Sequence, residues 1–241
     1  MARVTVHDRD RSTWRLYESS STDASEGAGR QARVLVALAG AALEPERLLA
    51  EAARAGAVIA ADGGATACLA AGLEPEAVVG DFDSLDDSIL KRLDPSRLLS
   101  STDPETNDLE KALAYLAIRR PVTEEIVLVG AGLVAGGRVD HTLANLGVLL
   151  AEPHRRIVSV DGEGRLLALR HGKVVLEDLA GVRLSVLPWT LHGVQVSETG
   201  VRYPLDRATL RLGGRGVSNE ITAARAEVEI HEGVALVWIG V

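Results

Sequence analysis

Two carboxylates separated by one residue, Asp81 and Asp83, directly follow the apolar run Ala77-Val78-Val79 and Gly80. A strand that ends in Asp-x-Asp places both carboxylates at its carboxyl end, the edge at which open α/β sheets bind ligands. Two like charges a few Å apart repel by roughly 3 kcal/mol at an effective dielectric of about 20. A divalent cation bound through these carboxylates and substrate phosphates would relieve the repulsion. A solvated turn is the other interpretation, because Asp and Ser are good turn formers.

Three further segments carry polar side chains at the ends of predicted strands or the starts of predicted helices. Asp62-Gly63-Gly64 lies between a strand and a helix, where glycines let a ligand approach the backbone and a helix N-terminus favours anions. Asp108 is a third carboxylate at the start of a helix, or a simple N-cap. In Gly136-Gly137-Arg138-Val139-Asp140-His141, the Arg could bind a phosphate through two N–H groups. The Asp and His of this segment could orient a substrate or cap the next helix.

Carboxylates, an arginine and glycine-rich turns at one edge of one sheet suit Mg²⁺-nucleotide chemistry. The chain contains no Gly-x-x-x-x-Gly-Lys-Ser/Thr, so it is not a P-loop protein. It also lacks Gly-x-Gly-x-x-Gly between a strand and a helix, which disfavours a dinucleotide oxidoreductase.

The elements that position these side chains alternate between strand and helix from about residue 33 onward. Apolar runs predict buried strands, and apolar residues at helical spacing predict helices. Strands are predicted at 34–38, 57–61, 77–79 and 126–129, and helices at 46–55, 65–71, 108–120 and 142–150. This alternation predicts a three-layer α/β domain with a mostly parallel sheet.

The two ends of the chain have a different pattern. After about residue 157, short β-type runs replace the helices, which predicts an antiparallel β-sandwich. Near the start, residues 3–6 and 14–17 could pair as a hairpin, followed by a connector rich in Ser and Gly. We therefore expect an N-terminal extension of unknown role at 1–30, an α/β domain at 31–155 and a β-sandwich domain at 156–241.

The composition limits the partners. The chain has 241 residues, 46% of them hydrophobic and 25% charged, as in ordinary globular proteins. A net charge of −8 argues against nucleic-acid binding, which needs a basic surface. The apolar runs are too short to span a bilayer and no secretion signal is recognised, so we expect a cytoplasmic protein without a membrane partner. The single cysteine, Cys68, allows neither an intramolecular disulfide nor a cysteine zinc site.

Five stretches taken together resemble the thiamine pyrophosphokinase family. They are Ala61-Asp62-Gly63-Gly64-Ala65, Val79-Gly80-Asp81-Phe82-Asp83-Ser84-Leu85, Asn107-Asp108-Leu109-Glu110-Lys111-Ala112-Leu113, the Gly136–His141 segment with Asn145-Leu146, and Val217-Ser218-Asn219. The resemblance implies an α/β nucleotide-binding domain followed by a β-sandwich, and homodimers with thiamine bound at the subunit interface. It also implies transfer of the diphosphoryl group of ATP to the hydroxyethyl oxygen of thiamine, which gives thiamine diphosphate and AMP.

The resemblance implies roles for individual residues. Mg²⁺ would be bound by Asp81, Asp83 and Asp108, and these carboxylates with Arg138 would form the catalytic group. The ATP contacts would come from Gly40, Asp62, Gly63, Gly64, Arg138, Asp140, His141 and Asn145, and the thiamine contacts from Asp140, Tyr203, Ser218 and Asn219. Asp83 or Asp108 could accept the proton of the thiamine hydroxyl. One departure is Asn107, which stands where the family commonly has Thr.

Three other functions stay open at this point. A phosphatase of the haloacid-dehalogenase type also uses Asp-x-Asp after a strand, but it usually has Thr or Val where this chain has Leu85. A metal-dependent sugar-nucleotide transferase gains no support from the Gly-Gly-Arg-x-Asp-His segment. A nucleotide or thiamine sensor of the same fold is the non-enzymatic alternative, and the intact set of carboxylates argues against it.

Overall fold

The structure, a computed structural model, describes residues 2–8, 14–17, 33–40, 45–120, 125–131, 138–152, 155–161 and 163–240. Backbone contacts divide the chain into two compact units. One comprises Asp23–Val148 and Arg155–Gly162, and the other comprises Met1–Thr22, Leu149–His154 and Glu163–Val241. None of the described helices is long and apolar enough to cross a membrane.

The chain begins with an antiparallel hairpin of β1 (Arg3–Asp8) and β2 (Trp14–Tyr17). Val4 and Val6 of β1 are fully buried, since alternate residues of a strand face the same side. The hairpin predicted from the sequence is therefore present, and it belongs to the second of the two units.

The α/β unit is built on a parallel sheet. Its described strands are β3 (Arg33–Ala37), β4 (Ala57–Ala61), β5 (Ala77–Gly80), β6 (Leu98–Ser100), β7 (Glu125–Val129) and β8 (Ile157–Asp161). They pair in the order β8-β7-β3-β4-β5-β6, each parallel to its neighbour. The central strands are buried along most of their length, as expected for a sheet covered on both faces. The mostly parallel sheet predicted from the sequence is confirmed.

The described helices of this unit connect the strands. They are α1 (Pro45–Ala52), α2 (Gly64–Ala70), α3 (Asp87–Leu90), α4 (Asp108–Arg119) and α5 (Val139–Ala151), with a 3₁₀ turn at Pro95–Arg97. The single-turn helix α3 has no counterpart in the sequence prediction, because one turn shows no periodicity. Helix α5 begins at Val139 instead of Thr142, since the Thr142 N–H already donates to the Arg138 carbonyl at 3.0 Å.

The second unit is an antiparallel β-sandwich. Its remaining strands are β9 (Gly164–Glu177), β10 (Arg183–Pro188), β11 (Val194–Thr199), β12 (Leu205–Leu210), β13 (Asn219–Glu220) and β14 (Arg225–Gly240). The first half of β14 pairs with β11 and its second half with β10, while β9 follows β14 along both halves. Strand β1 pairs with the second half of β9, so the described part of the N-terminal segment extends this unit.

The two long strands differ from the sequence prediction, which expected only short β-type runs in this part of the chain. An irregularity between Ile230 and Val234 interrupts the pairing of β14 with β9 without ending either strand. His171 of β9 and Gly233 of β14 have positive φ values of 45° and 87° at this irregularity. Positive φ values are typical of turns, but here the ladder between β9 and β14 resumes on the far side of these residues.

Gly64→Ala should lower the free energy of unfolding by about 1–3 kcal/mol, the usual cost of overpacking. The added Cβ would lie 2.1 Å from the Ala37 carbonyl oxygen, which belongs to the backbone of β3. Gly147→Ala in α5 is the matched control, because nothing lies within 4 Å of its Cβ. There we expect a gain of roughly 0.5–1 kcal/mol from the lower chain entropy of alanine. Urea denaturation measures both, and equal effects at the two glycines would contradict the packing at Gly64.

Candidate active site

The ends of β4 and β5 lie against each other at the carboxyl edge of the parallel sheet. Asp62, directly after β4, has a positive φ of 42°, and its N–H donates to the Val79 carbonyl at 2.8 Å. A Cβ at Gly80 would lie 2.8 Å from the Cβ of Asp62, so the site requires glycine there. The close approach of the two strand ends brings Asp62 beside the residues that follow β5.

The turn after β5 is bound to the Asp62 carboxylate. The Phe82 N–H donates to Asp62 Oδ1 at 3.0 Å, and the Ser84 hydroxyl donates to Asp62 Oδ2 at 2.5 Å. Phe82 has a positive φ of 67°, an uncommon conformation for an aromatic residue. Asp62 is thus a buried carboxylate that accepts two hydrogen bonds and fixes the path of the Asp-x-Asp turn.

Three carboxylates form a group at this edge, which we call the carboxylate group: Asp62, Asp81 and Asp83. Each offers one oxygen, and these oxygens lie within 4.8 Å of one another. The negative charge of Asp81 raises the pKa of Asp83, followed by a smaller effect of Asp62. Because all donors are oxygens and their charges repel, the group fits a hard divalent cation such as Mg²⁺.

The membership of this group differs from the set that the resemblance implies for Mg²⁺. Asp62 was expected among the nucleotide contacts and Asp108 among the metal ligands. The structure brings Asp62 together with Asp81 and Asp83, while Asp108 is not part of the group that these oxygens form. The pairing of β4 beside β5 explains the inclusion of Asp62, because it follows directly on the neighbouring strand.

Lys111 is a site residue that the sequence reasoning missed. Its side chain is only 4% exposed, and its Nζ lies 2.8 Å from Asp81 Oδ2 and 3.5 Å from Asp108 Oδ1. Burial opposes its charge, but Asp81 and Asp108 hold the pKa of Lys111 above its ordinary value. The hydrogen bond from Lys111 is the main cause that lowers the pKa of Asp81. The available signal was its position three residues after Asp108 on one helix face.

The N-terminus of α4 is held by a reciprocal capping box. Asn107 Oδ1 accepts the Glu110 N–H at 2.9 Å, and Glu110 Oε2 accepts the Asn107 N–H at 2.9 Å. The departure from the family pattern at Asn107 therefore supplies a good N-cap residue. The cap fixes the first turn, which carries Asp108. Burial, and secondarily the negative charge of Asp62, raises the pKa of Asp108.

The predicted nucleotide glycines have packing reasons of their own. A Cβ on Gly40 would lie 2.2 Å from the Gly130 carbonyl oxygen, where the ends of β3 and β7 meet. A Cβ on Gly63 would lie 2.8 Å from Ser84 Oγ. Their contacts with ATP stay predictions, since these glycines are already required for the close packing of strand ends.

The segment around α5 separates into an exposed ion pair and a buried anchor. Arg138 Nε donates to Asp140 Oδ1 at 3.2 Å and Arg138 Nη2 donates to Asp140 Oδ2, so the guanidinium fork is engaged by a carboxylate. His141 is exposed. Asn145 is buried, and its Nδ2 donates to the Ala131 carbonyl at 2.9 Å, which connects α5 to the end of β7. Gly136 and Gly137 of this motif lie outside the described residues.

The predicted thiamine residues of the β-sandwich cluster around one amide. Asn219 Oδ1 accepts the N–H groups of Tyr203 and Glu220, both at 3.0 Å. Asn219 Nδ2 donates to the Tyr203 carbonyl at 3.0 Å and to Glu198 Oε2 at 2.8 Å. Both hydrogens and both acceptor positions of this amide therefore have hydrogen-bond partners within the protein. Ser218 and Tyr203 are exposed, the latter by 67%.

Comparison with known proteins matches this chain to one family. The model of "Thiamin pyrophosphokinase, catalytic domain" matches residues 49–159, and that of "Thiamin pyrophosphokinase, vitamin B1 binding domain" matches residues 174–235. Thiamine pyrophosphokinase of Bacillus subtilis (strain 168) is 26% identical over 185 residues, which are 74% of this chain and 84% of that protein. Thiamine pyrophosphokinase 1 of Oryza sativa subsp. japonica is 26% identical over 176 residues, 68% of this chain and 65% of that protein.

Solved structures show the same fold. The crystal structure of thiamin pyrophosphokinase from Geobacillus thermodenitrificans has a TM-score of 0.71 and 24% identity, and the match covers 86% of this chain and 97% of that chain. The yeast thiamin pyrophosphokinase structure also has a TM-score of 0.71, at 14% identity and 86% coverage of both chains. At these identities the structures support the arrangement of strands and helices within each unit.

Lys111→Met removes the cation that bonds to Asp81, so we expect the pKa of Asp81 to rise. Carboxyl ¹³C NMR titration measures it, with Lys111→Arg as a control that retains a cation. Asp94 is the internal reference, because the Ser96 N–H lowers its pKa independently of Lys111. An unchanged Asp81 pKa in Lys111→Met would mean that another group keeps this carboxylate ionised.

The same variant should show a pH-dependent loss of stability. The folded pKa of Asp81 lies below its usual 3.8. Its ion pair therefore stabilises the fold above that pH, and the contribution is lost as the pH falls through the lower folded pKa. Urea denaturation should thus show a larger difference between wild type and Lys111→Met at pH 7 than at pH 3.

Proposed function

Because the chain belongs to the thiamin pyrophosphokinase family, we propose that it transfers the diphosphoryl group of ATP to the hydroxyethyl oxygen of thiamine. The products are thiamine diphosphate and AMP. The observation that carries this proposal is the carboxylate group at the ends of β4 and β5, beside the buried Lys111. The alternatives left open by the sequence gain no support, because the domain matches and the reported relatives belong to this one family.

The cofactor we propose is Mg²⁺, with Asp62, Asp81 and Asp83 as its protein ligands. An acidic edge of this kind repels the phosphates of ATP unless a cation lies between them. When bound, the ion neutralises negative charge on the phosphate oxygens and on the departing AMP. The bonds from the turn after β5 to Asp62 bring these oxygen donors close together.

The remaining groups on this edge orient the reactants and move one proton. Arg138 exchanges its bond with Asp140 for a bidentate bond to a phosphate of ATP. The thiamine hydroxyl attacks the β-phosphorus in line, and the bond from that phosphorus to the oxygen shared with the α-phosphorus breaks. Asp108, outside the carboxylate group and half-buried at the start of α4, accepts the hydroxyl proton. No covalent enzyme intermediate is formed.

On the thiamine side we propose contacts from the exposed Ser218 hydroxyl and the Tyr203 ring. Both lie within the match to the vitamin B1 binding domain. Asn219 contributes indirectly, since its amide is already bonded to Tyr203 and Glu198. We also propose a cytoplasmic homodimer with thiamine at the subunit interface, on the basis of the family resemblance. A monomeric mass by light scattering at assay concentration would contradict the dimer.

The reaction itself is tested by AMP release from ATP. We expect release only when thiamine and Mg²⁺ are both present, together with an equal amount of thiamine diphosphate. EDTA should abolish it and added Mg²⁺ should restore it. AMP release that does not depend on thiamine would refute the substrate assignment, and a phosphate trapped on Asp81 would favour the phosphatase mechanism instead.

Substitution of each carboxylate by its amide should distinguish a metal ligand from the proton acceptor. Asp81→Asn should weaken Mg²⁺ binding and lower turnover by two or more orders of magnitude, because a charged ligand is lost. Asp108→Asn should lower turnover by roughly 10²–10⁴-fold, the usual contribution of a proton acceptor, with unchanged Mg²⁺ affinity. Asp86→Asn is the matched control, since Asp86 is exposed in the same loop and its side chain forms no cap bond.

Titration calorimetry with Mg²⁺ and ATP, beside initial rates, measures both quantities. If Asp108→Asn weakens Mg²⁺ binding as strongly as Asp81→Asn does, Asp108 is a metal ligand, as the family resemblance implies.

A further inference from the structure

Glu198 is a buried carboxyl group of the β-sandwich. It lies on β11 and is 1% exposed. Its Oε2 accepts the hydrogen bond from Asn219 Nδ2 at 2.8 Å, whereas its buried Oε1 has no hydrogen-bond partner. Burial raises the pKa of Glu198, although the bond from Asn219 acts in the opposite direction. A buried polar atom without a partner is uncommon and unfavourable. The burial of this carboxyl group therefore calls for an explanation, and the bond made by its other oxygen suggests one.

The bond from Asn219 to Glu198 is one of four that agree on a single orientation of the amide. Carboxyl Oε2 accepts this bond, so the NH₂ of Asn219 has to point towards Glu198. This orientation leaves Oδ1 facing the N–H groups of Tyr203 and Glu220. The second amide hydrogen reaches the Tyr203 carbonyl. If the amide were reversed, every one of these bonds would join two donors or two acceptors.

Asn219 in this orientation fixes the backbone of Tyr203 from both sides. The N–H and the carbonyl of Tyr203 both bond to the one amide. The neighbouring Arg202 adds a bond from its N–H to the Glu220 carbonyl at 2.8 Å. Tyr203 is nevertheless 67% exposed as a residue. An exposed aromatic ring on a fixed backbone is a preformed surface for a flat cationic heterocycle, the chemical class of thiamine.

We infer that Glu198 is a positioning residue for the thiamine side of the site, acting through Asn219 on Tyr203; this inference rests on the proposed function. Glu198 itself is too deeply buried to be offered to a substrate. Its effect is to hold one orientation of the Asn219 amide, so that thiamine meets an ordered loop and loses less entropy on binding.

Two substitutions of similar size test the inference. Glu198→Gln retains a carbonyl acceptor for Asn219, while Glu198→Met removes it. For Glu198→Met we expect the KM for thiamine to rise about tenfold, in the range of a lost hydrogen bond, with kcat and the KM for ATP within about twofold of wild type. Glu198→Gln should stay within about twofold of wild type in all three.

Amide hydrogen exchange gives a readout that does not need thiamine. The N–H groups of Tyr203 and Glu220 should exchange faster in Glu198→Met and as in wild type in Glu198→Gln. The Val186 N–H, which donates to the Gly216 carbonyl at 2.8 Å, is the reference and should not change. If Glu198→Met fails to fold, Glu198→Leu, which also offers no acceptor to Asn219, takes its place in both measurements.

The outcomes separate this inference from the proposed function. Unchanged exchange at Tyr203 in Glu198→Met, or an equal rise of both KM values, overturns the positioning role. Faster exchange in a protein whose wild type does not use thiamine overturns the proposed function, and with it the link of Glu198 to thiamine. Faster exchange with a selective rise of the thiamine KM supports both.

Discussion

The approach of the strand ends of β4 and β5 is the constraint on which the α/β unit depends. Asp62 and Gly80 are so close that no side chain fits at the glycine. The turn that follows can then reach the Asp62 carboxylate with one N–H and one hydroxyl. Three negative charges are held together as a result, in an arrangement that repulsion alone would separate. Fixed hydrogen bonds from the backbone and from Ser84 keep it in place.

The positive charge that compensates these carboxylates comes from helix α4. Lys111 is buried on the inner face of α4, and its ammonium bonds to Asp81 and lies 3.5 Å from Asp108. A buried lysine is unfavourable by itself, so the lysine and the carboxylates stabilise each other's charged forms. The capping box at Asn107 fixes the start of α4 and therefore the position of Lys111 relative to the carboxyl edge of the sheet. The carboxylate group and helix α4 are therefore coupled electrostatically through Lys111.

The β-sandwich holds its carboxyl group by different means. Glu198 bonds to an amide, which can orient neighbouring groups but brings no positive charge. Burial therefore raises the pKa of Glu198 while Lys111 lowers that of Asp81. The contrast has a functional sense in each unit: ionised oxygens suit a divalent cation, and a buried, directional acceptor suits the ordering of a loop.

Much of the fold could be predicted from local pattern. Four strands of the parallel sheet (β3, β4, β5 and β7), helix α4 and the N-terminal hairpin follow from apolar runs and helical spacing, which are properties of neighbouring residues. The errors lie where a partner strand or a single hydrogen bond decides. Strands β9 and β14 continue through residues that look like turns, because the ladder between them resumes beyond the irregularity. Helix α5 begins earlier because the Arg138 carbonyl already accepts a helical bond.

The sequence by itself determined that Asp81 and Asp83 stand at the carboxyl end of a buried strand and Asp108 at the start of a helix, because both depend on adjacent residues only. The tertiary structure decided which side chains share a site. Asp62 joins Asp81 because β4 pairs beside β5, and Lys111 reaches the same carboxylate from a helix thirty residues away in sequence. Glu198 bonds to Asn219 across strands that only the folded sandwich brings together. Hydrophobic patterning indicates most of the strands and helices, but the order of strands in space determines which charged groups become partners.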